Sequence, residues 1–379
     1  MTIAPQPAHA AVSDLRKGNN ALKRRQLLAL AGAASLSPAS VAFAQAKSGA
    51  AAVQAAQAHF AGRTVRVLIP SAAGSGTDRS ARQFIDELQR LLPGTRLRIE
   101  NIERAGGQIA ASDLWRAPAD GSVVGFLRSN LFYAELMERS TLDFGFTGFT
   151  FFGSITRGHR VLVLGNESRI ENIETILSGD RIILKSADAV NSSHYYEALL
   201  MNALAGSRIL PVPGFAGGAR NMAVISGEVD CQIGSIEAVQ PIIEAGAGRI
   251  VFRLTSAPLP EGLPDVPRLA DHLRDPALAW AVRIIDAAAM LGRPFAGPPD
   301  MEPSAAGHWK VLFEAVVNNP AFRELSRVEE GLVIDPASGE DIAELLSGIA
   351  GMGDGLQDDI DSLLDCGQLL TSSEESQCG

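Results

Sequence analysis

The 379-residue sequence predicts an α/β fold of two lobes, each a mostly parallel sheet flanked by helices. Two observations carry this expectation. From residue 63, short apolar runs alternate with stretches of helical periodicity, and the alternation starts afresh after about residue 160. A chain with 46% hydrophobic and 20% charged residues has the makeup of a globular protein, and its length suffices for two cores.

The first lobe reads in order. Val65–Ile69 is an apolar run stopped by Pro70, hence a strand. A small-residue turn follows, Ser71 to Asp78, and then Ala81, Phe84, Ile85, Leu88 and Leu92 at helical spacing. Leu97–Asn101 is a second strand. Ala105-Gly106-Gly107 opens a helix that Pro118 ends, and Val123–Leu127 is a third strand. Short connections of this kind imply parallel strands covered on both faces. In the second lobe the strands are expected at 160–164, 181–186, 208–212, 229–233 and 250–254, with helices near 171–178, 194–205, 217–226 and 236–245. Pro258 to Pro267 is a Pro-rich connector, and the last hundred residues are mainly helical and return to the first lobe. The boundaries follow as 60–162 plus 285–379 for lobe one and 163–284 for lobe two.

Residues 1–46 form a separate segment. Lys23-Arg24-Arg25-Gln26-Leu27-Leu28 leads into an apolar stretch to Leu36, then Ser37-Pro38, then Ala42-Phe43-Ala44. A basic start, an apolar run too short to span a bilayer and a small-x-small site make an export signal, of twin-arginine type, with cleavage near Ala44 or Ala46. No later run is apolar enough for a membrane span. A net charge of −10 excludes a basic field for nucleic acid or acidic lipid. Cys231 lies in an alternating strand and reads as a buried thiol, whereas Cys366 and Cys378 bracket a polar tail and could pair. No Cys or His spacing suggests a metal site, and no cofactor is expected.

Ligands of open parallel sheets bind beyond the carboxyl ends of the strands. Two loops there suit an anion. In Ser71–Asp78, glycines allow close backbone approach and the next helix presents unpaired N–H groups. In the second, Ser192 and Ser193 can cap a helix or donate hydroxyls, and His194 sits in its first turn. Gly74-Ser75-Gly76 lacks the third glycine of a dinucleotide fingerprint, and no Lys follows to make a P-loop. There is no Gly-x-Ser-x-Gly elbow, and adjacent Ser193 and His194 diverge on one helix. These residues offer a binding site without a nucleophile. Arg128, just before Ser129-Asn130, is expected in solvent or paired with an acid such as Glu135, the alternative being a carboxylate clamp.

From Val65 to about Leu345 the chain resembles the extracytoplasmic solute receptors of tripartite tricarboxylate transporters, the Bug family. The features are the turn closing on Thr77-Asp78, then Glu100-Asn101, Ala105-Gly106-Gly107, Ala119-Asp120-Gly121, Ser192-Ser193-His194, Pro213-Gly214-Phe215, Gly227-Glu228-Val229-Asp230 and Leu263-Pro264-Asp265-Val266-Pro267. The resemblance implies a two-lobed periplasmic binding protein fold, a two-stranded hinge between the lobes, and closure over a small carboxylate. It also implies membrane transporter subunits as partners, and a non-enzymatic function; a monomer is expected. The ligand-binding residues it implies are Ala73, Gly74, Ser75, Thr77, Asp78, Asn130, Ser192, Ser193 and Phe215, beside Ser71 and His194 from the two loops. Phe215 stands where the family usually has Tyr, and Ala72-Ala73 and Ser75 replace the usual prolines and glycine. Rival readings are a binding protein serving a sensor or lacking a transporter, and an exported cofactor-dependent enzyme.

Overall fold

The computed structural model describes residues 38–137, 142–190, 192–215, 217–352 and 355–372. The twin-arginine motif and Cys378 lie outside them. Helix α1 (Pro38–Phe60) precedes β1 (Thr64–Ile69), and its Phe60 is fully buried. Then come α2 (Gly76–Leu91), β2 (Arg96–Asn101), α3 (Gln108–Trp115), β3 (Val123–Phe126), α4 (Ser129–Met137) and β4 (Thr150–Ser154). The second sheet is built from β5 (Arg160–Gly165), β6 (Ile183–Ser186), β7 (Ile209–Val212), β8 (Cys231–Ser235) and β9 (Gly248–Arg253). Between these strands run α5 (Ile173–Leu177), α6 (Ser193–Ala205), α7 (Ala219–Ile225) and α8 (Ile236–Glu244). Helix α9 (Ala279–Met290) leads back to β10 (Pro294–Gly297), α10 (Pro303–Val317), α11 (Pro320–Glu330), β11 (Ala337–Ser338), α12 (Gly339–Ala350) and α13 (Leu356–Leu369).

The two sheets run in the orders β11-β4-β10-β3-β1-β2 and β7-β6-β8-β5-β9. Parallel pairing holds within the strand–helix–strand units: β1 with β2 and β3, and β6 with β7 and β8. The remaining pairs, β10 with β3 and β4, β11 with β4, and β5 with β8 and β9, are antiparallel. Each sheet is therefore mixed: β5 and β10, the strands by which the chain enters a sheet after a crossing, run against the others, as does β11. Aromatic rings fill the first lobe: Phe84 lies 5.7 Å from Phe126 and 5.2 Å from Phe295, centroid to centroid.

The chain crosses between sheets twice, from β4 to β5 and from β9 through α9 to β10. The crossing segments are bonded to each other, Ile155 N–H to Arg293 O at 3.0 Å and Gly158 N–H to Ala289 O at 2.6 Å. A Cβ on Gly292 would stand 2.5 Å from Thr156 O, so only glycine permits this approach.

The tail departs from the expected 285–379 boundary. Helix α13 packs on α6 of the second lobe, burying Leu356, Ile360 and Leu363. Asn202 Nδ2 donates to Gly367 O at 3.1 Å, and Arg208 Nε to Leu370 O at 2.8 Å. A Cβ at Gly367 would lie 2.2 Å from Leu199 O, so the missing side chain is what allows contact. Gly367→Ala should therefore cost about 1–3 kcal/mol in urea unfolding, as overpacking does. Gly355→Ala, where a Cβ meets nothing within 4 Å, should cost little. Equal stability of the two variants would refute this docking.

Candidate functional site

The carboxyl ends of β1, β3, β6 and β8 open on a cleft between the lobes, and the helices that follow begin there. Thr77 enters it from α2, Ser129 and Asn130 from α4, Ser193 and His194 from α6, and Glu237 and Ala238 from α8. The cleft encloses about 230 Å3. Helix N-termini carry unpaired N–H groups and a partial positive charge, so their convergence favours an anion.

Four arginines add to this. Arg160 opens β5, and the antiparallel register sets it opposite Ser235 at the carboxyl end of β8. Arg293 precedes β10, which lies antiparallel to β3, and so reaches the cleft from the hinge. Arg220 comes from α7, and Arg128 from the end of β3. Two are neutralised in place. Arg160 pairs with Glu197, a buried carboxylate that also accepts from Tyr133 Oη at 3.4 Å; Arg220 pairs with Asp188. Arg128 and Arg293 have no carboxylate within 4.0 Å among the described residues. Crowding by protein lowers the pKa of both guanidiniums by desolvation, though an arginine remains charged. Arg128, expected in solvent or paired with an acid such as Glu135, is exposed, and the solvent it meets is that of the cleft.

The backbone before α3 sets the Arg128 stem. Ala105, Gly106 and Gly107 adopt φ of 50°, 62° and 100°. A Cβ on Gly107 would stand 3.1 Å from Pro70 Cβ and 3.2 Å from Arg128 Cδ. Asn130 Nδ2 donates to Gly106 O at 3.2 Å, which leaves its buried Oδ1 without a partner. The buried Nε atoms of Arg160 and Arg220 are also without hydrogen bonds. Unmet buried polar atoms are costly, and these three belong to residues that line the one cleft.

Of the residues singled out in the sequence, Thr77, Asn130, Ser193 and His194 line the cleft. The first loop is bonded to itself: Asp78 accepts from Gly74 N–H at 2.7 Å, Asn101 Nδ2 at 2.7 Å and Arg82 Nε at 2.8 Å. Ser75 caps α2 and donates to Ser71 Oγ at 3.1 Å, and Ala73 is exposed. Ser192 caps α6, and half-buried Phe215 packs on the second-lobe core. Ser71, Ala73, Gly74, Ser75, Asp78, Ser192 and Phe215 thus stand outside the lining. Arg160, Arg220 and Arg293 were not anticipated; Arg160 merely heads a strand, and only knowledge that this strand runs antiparallel would have flagged it.

Behind α6, Lys185 is buried and donates to Ser186 O at 3.0 Å and His194 O at 2.6 Å. Burial lowers its pKa to about 8 and raises that of Cys231, its neighbour across β6 and β8, to about 12. Among the described residues no group of His, Cys, Asp and Glu could hold a metal ion, and no helix is long and apolar enough to cross a membrane.

No family model and no curated protein matches the chain. Solved structures do. A TctC solute-binding protein from Polaromonas is 15% identical, with 80% of this chain and 98% of that one covered at a TM-score of 0.64. MatC from Rhodopseudomonas palustris, with bound malate, is 21% identical over 80% and 99%, at 0.57. A third protein, from R. palustris with adipate, is 18% identical over 81% and 97%, at 0.58. These likenesses give the fold, which is the two-lobed fold of such binding proteins.

His194 carries a testable consequence. Burial lowers its pKa to about 4, although Asp188 Oδ2 lies 3.5 Å from Nδ1. Burial would raise Asp188, but His194 and Arg220 hold it at about 2. A histidine held neutral stabilises the fold fully above pH 6.5, and that contribution is lost as pH falls through 4. Stability in urea should therefore decline between pH 6.5 and 4, and His194→Gln should flatten that decline. Identical slopes for both proteins would show that His194 takes no part.

Proposed function

We propose that this chain is an exported periplasmic receptor of the tripartite tricarboxylate transporter type, which captures a small carboxylate between its lobes and presents it to membrane transporter subunits. The observation that carries this reading is the pair of guanidiniums without carboxylate partners among the described residues, Arg128 and Arg293, in a cleft ringed by helix N-termini. An anion there would meet oriented donors without having to break an existing ion pair. The fold shared with the TctC protein, and the malate and adipate held by two proteins of that fold, support a carboxylate. Nothing in the cleft pairs a nucleophile with a base: Glu197 is engaged by Arg160 and Tyr133, and His194 sits beside Asp188 without a hydroxyl donor at its Nδ1. A binding role fits these groups better than catalysis. Thr77, Asn130 and Ser193 complete the proposed contacts, with the remaining residues of the 71–78 loop shaping the start of α2.

A thermal-shift screen of mono-, di- and tricarboxylates on the purified protein tests the reading. A ligand at 100 times its Kd adds about 2.7 kcal/mol of stability. Arg128→Gln should weaken binding of the best ligand by about 2 kcal/mol, the size of a lost charge-assisted contact. If no carboxylate shifts the melting transition, the receptor reading fails; a loss under about 0.5 kcal/mol would take Arg128 out of the site.

Export is tested separately. Replacing Arg24 and Arg25 with Lys should leave the precursor in the cytoplasm in a fractionation assay. Normal export of that double variant would remove the twin-arginine route while leaving another open.

A further inference from the structure

A second cavity, of about 440 Å3, adjoins the cleft on the hinge side. The two share Thr156 of the hinge and Glu237 of α8 as walls. Their chemistry differs. The second cavity is floored by Ile236, Val239, Ile243, Ile250 and Leu263 from lobe two and faced by Val333 from lobe one. Val333 is 53% exposed, and Leu263 is half-buried, so apolar surface is left open to solvent here at a cost.

Charge in the cleft adds a second constraint. The pairs Arg160–Glu197 and Arg220–Asp188 cancel, and His194 is neutral near pH 7 with its pKa at about 4. Of the ionic groups lining the cleft, Arg128 and Arg293 then stand against Glu237, leaving one unbalanced positive charge. Lys185 adds to the field from behind α6 but does not line the cleft. One carboxylate satisfies this balance. A second carboxylate on a short ligand would have to lie near Glu237 or enter the second cavity, and either is unfavourable. The basic groups of that cavity, Arg157, His159 and Arg327, already face Asp341, Asp335 and Glu324, and its wall also carries Glu244 and Glu261.

Resting on the receptor reading, we infer that the ligand is a monocarboxylic acid with an apolar body, its carboxylate between Arg128 and Arg293 and its chain or ring passing Thr156 into the second cavity. This departs from the dicarboxylates held by the R. palustris proteins of the same fold. Calorimetric titration of the full mature chain with straight-chain acids from propionate to octanoate, beside malate and adipate, tests it. Affinity should rise about three- to fourfold per added methylene until the cavity is full. Hexanoate should bind at least about tenfold tighter than adipate, which has the same carbon count and a second charge, as expected if burying that charge costs 1.4 kcal/mol or more. Val333→Asp and Leu263→Gln alter solvent-accessible positions; each should weaken octanoate at least about fivefold and leave propionate unchanged. Affinity that is flat with chain length, adipate binding as well as hexanoate, or octanoate binding untouched by both variants would each overturn the inference while sparing the receptor reading. Failure of every acid to bind would end both.

Discussion

Two hydrogen bonds between the crossing segments, Ile155 to Arg293 and Gly158 to Ala289, govern the rest of the molecule. They hold the outgoing and returning chain side by side, with Gly292 sparing the space that Thr156 O occupies. A strand that starts at such a crossing enters its sheet from the cleft edge, so it must run against the strands of the strand–helix–strand units. That is why β5 and β10 are antiparallel to β8 and β3. It is also why Arg160 and Arg293, the residues at or next to the start of those strands, stand level with the carboxyl ends of β8 and β3. The topology delivers two cations to the place where helix N-termini already converge.

Four guanidiniums in one cleft, three of them half-buried, would be costly without compensation. The protein offsets two of them inside the second lobe. Glu197, itself buried, joins Arg160 to Tyr133 and so ties β5 to α6 and α4; Asp188 ties α7 to the loop after β6. Such pairs contribute less to stability than their distances suggest, because both ions are desolvated. Their larger effect is geometric, since each fixes a guanidinium whose Nε remains without a partner at the cleft wall. The cations left unpaired belong to the first lobe and the hinge. An anion bridging them to the helices of the second lobe would hold the cleft closed.

Much of the fold was legible in the sequence because it rests on local patterns. Val65–Ile69 with Pro70, the helical spacing from Ala81 to Leu92 and the alternation around Cys231 each state their own element, and Cys231 is indeed buried. Strand direction was less legible, since an apolar run such as Arg160–Gly165 looks the same whichever way its neighbours run. The site divided along the same line. Ser193, His194, Thr77 and Asn130 follow strands in sequence and could be placed at strand ends by the general rule. Arg293 reaches the cleft only through the hinge pairing, which no local pattern encodes. The 71–78 turn showed the opposite problem: its small polar residues suit a ligand and suit one another equally well. Asp78 settled the choice by taking the Gly74 N–H and the Asn101 amide for itself.

The chain carries a net charge of −10, and yet the ligand proposed for its cleft is an anion. The two scales do not conflict. Charges spread over an acidic surface act through water and are screened within about 8 Å at physiological ionic strength. Inside the cleft, protein replaces part of that water around half-buried Arg293 and lowers its pKa by desolvation, and a guanidinium at hydrogen-bond distance outweighs many remote carboxylates. An acidic exterior would slow the approach of such an anion, and the two arginines would set how long it stays. In the proposed binding mode, selectivity would rest on what the protein places beside the arginines, the carboxylate of Glu237 and the apolar side chains of the second cavity.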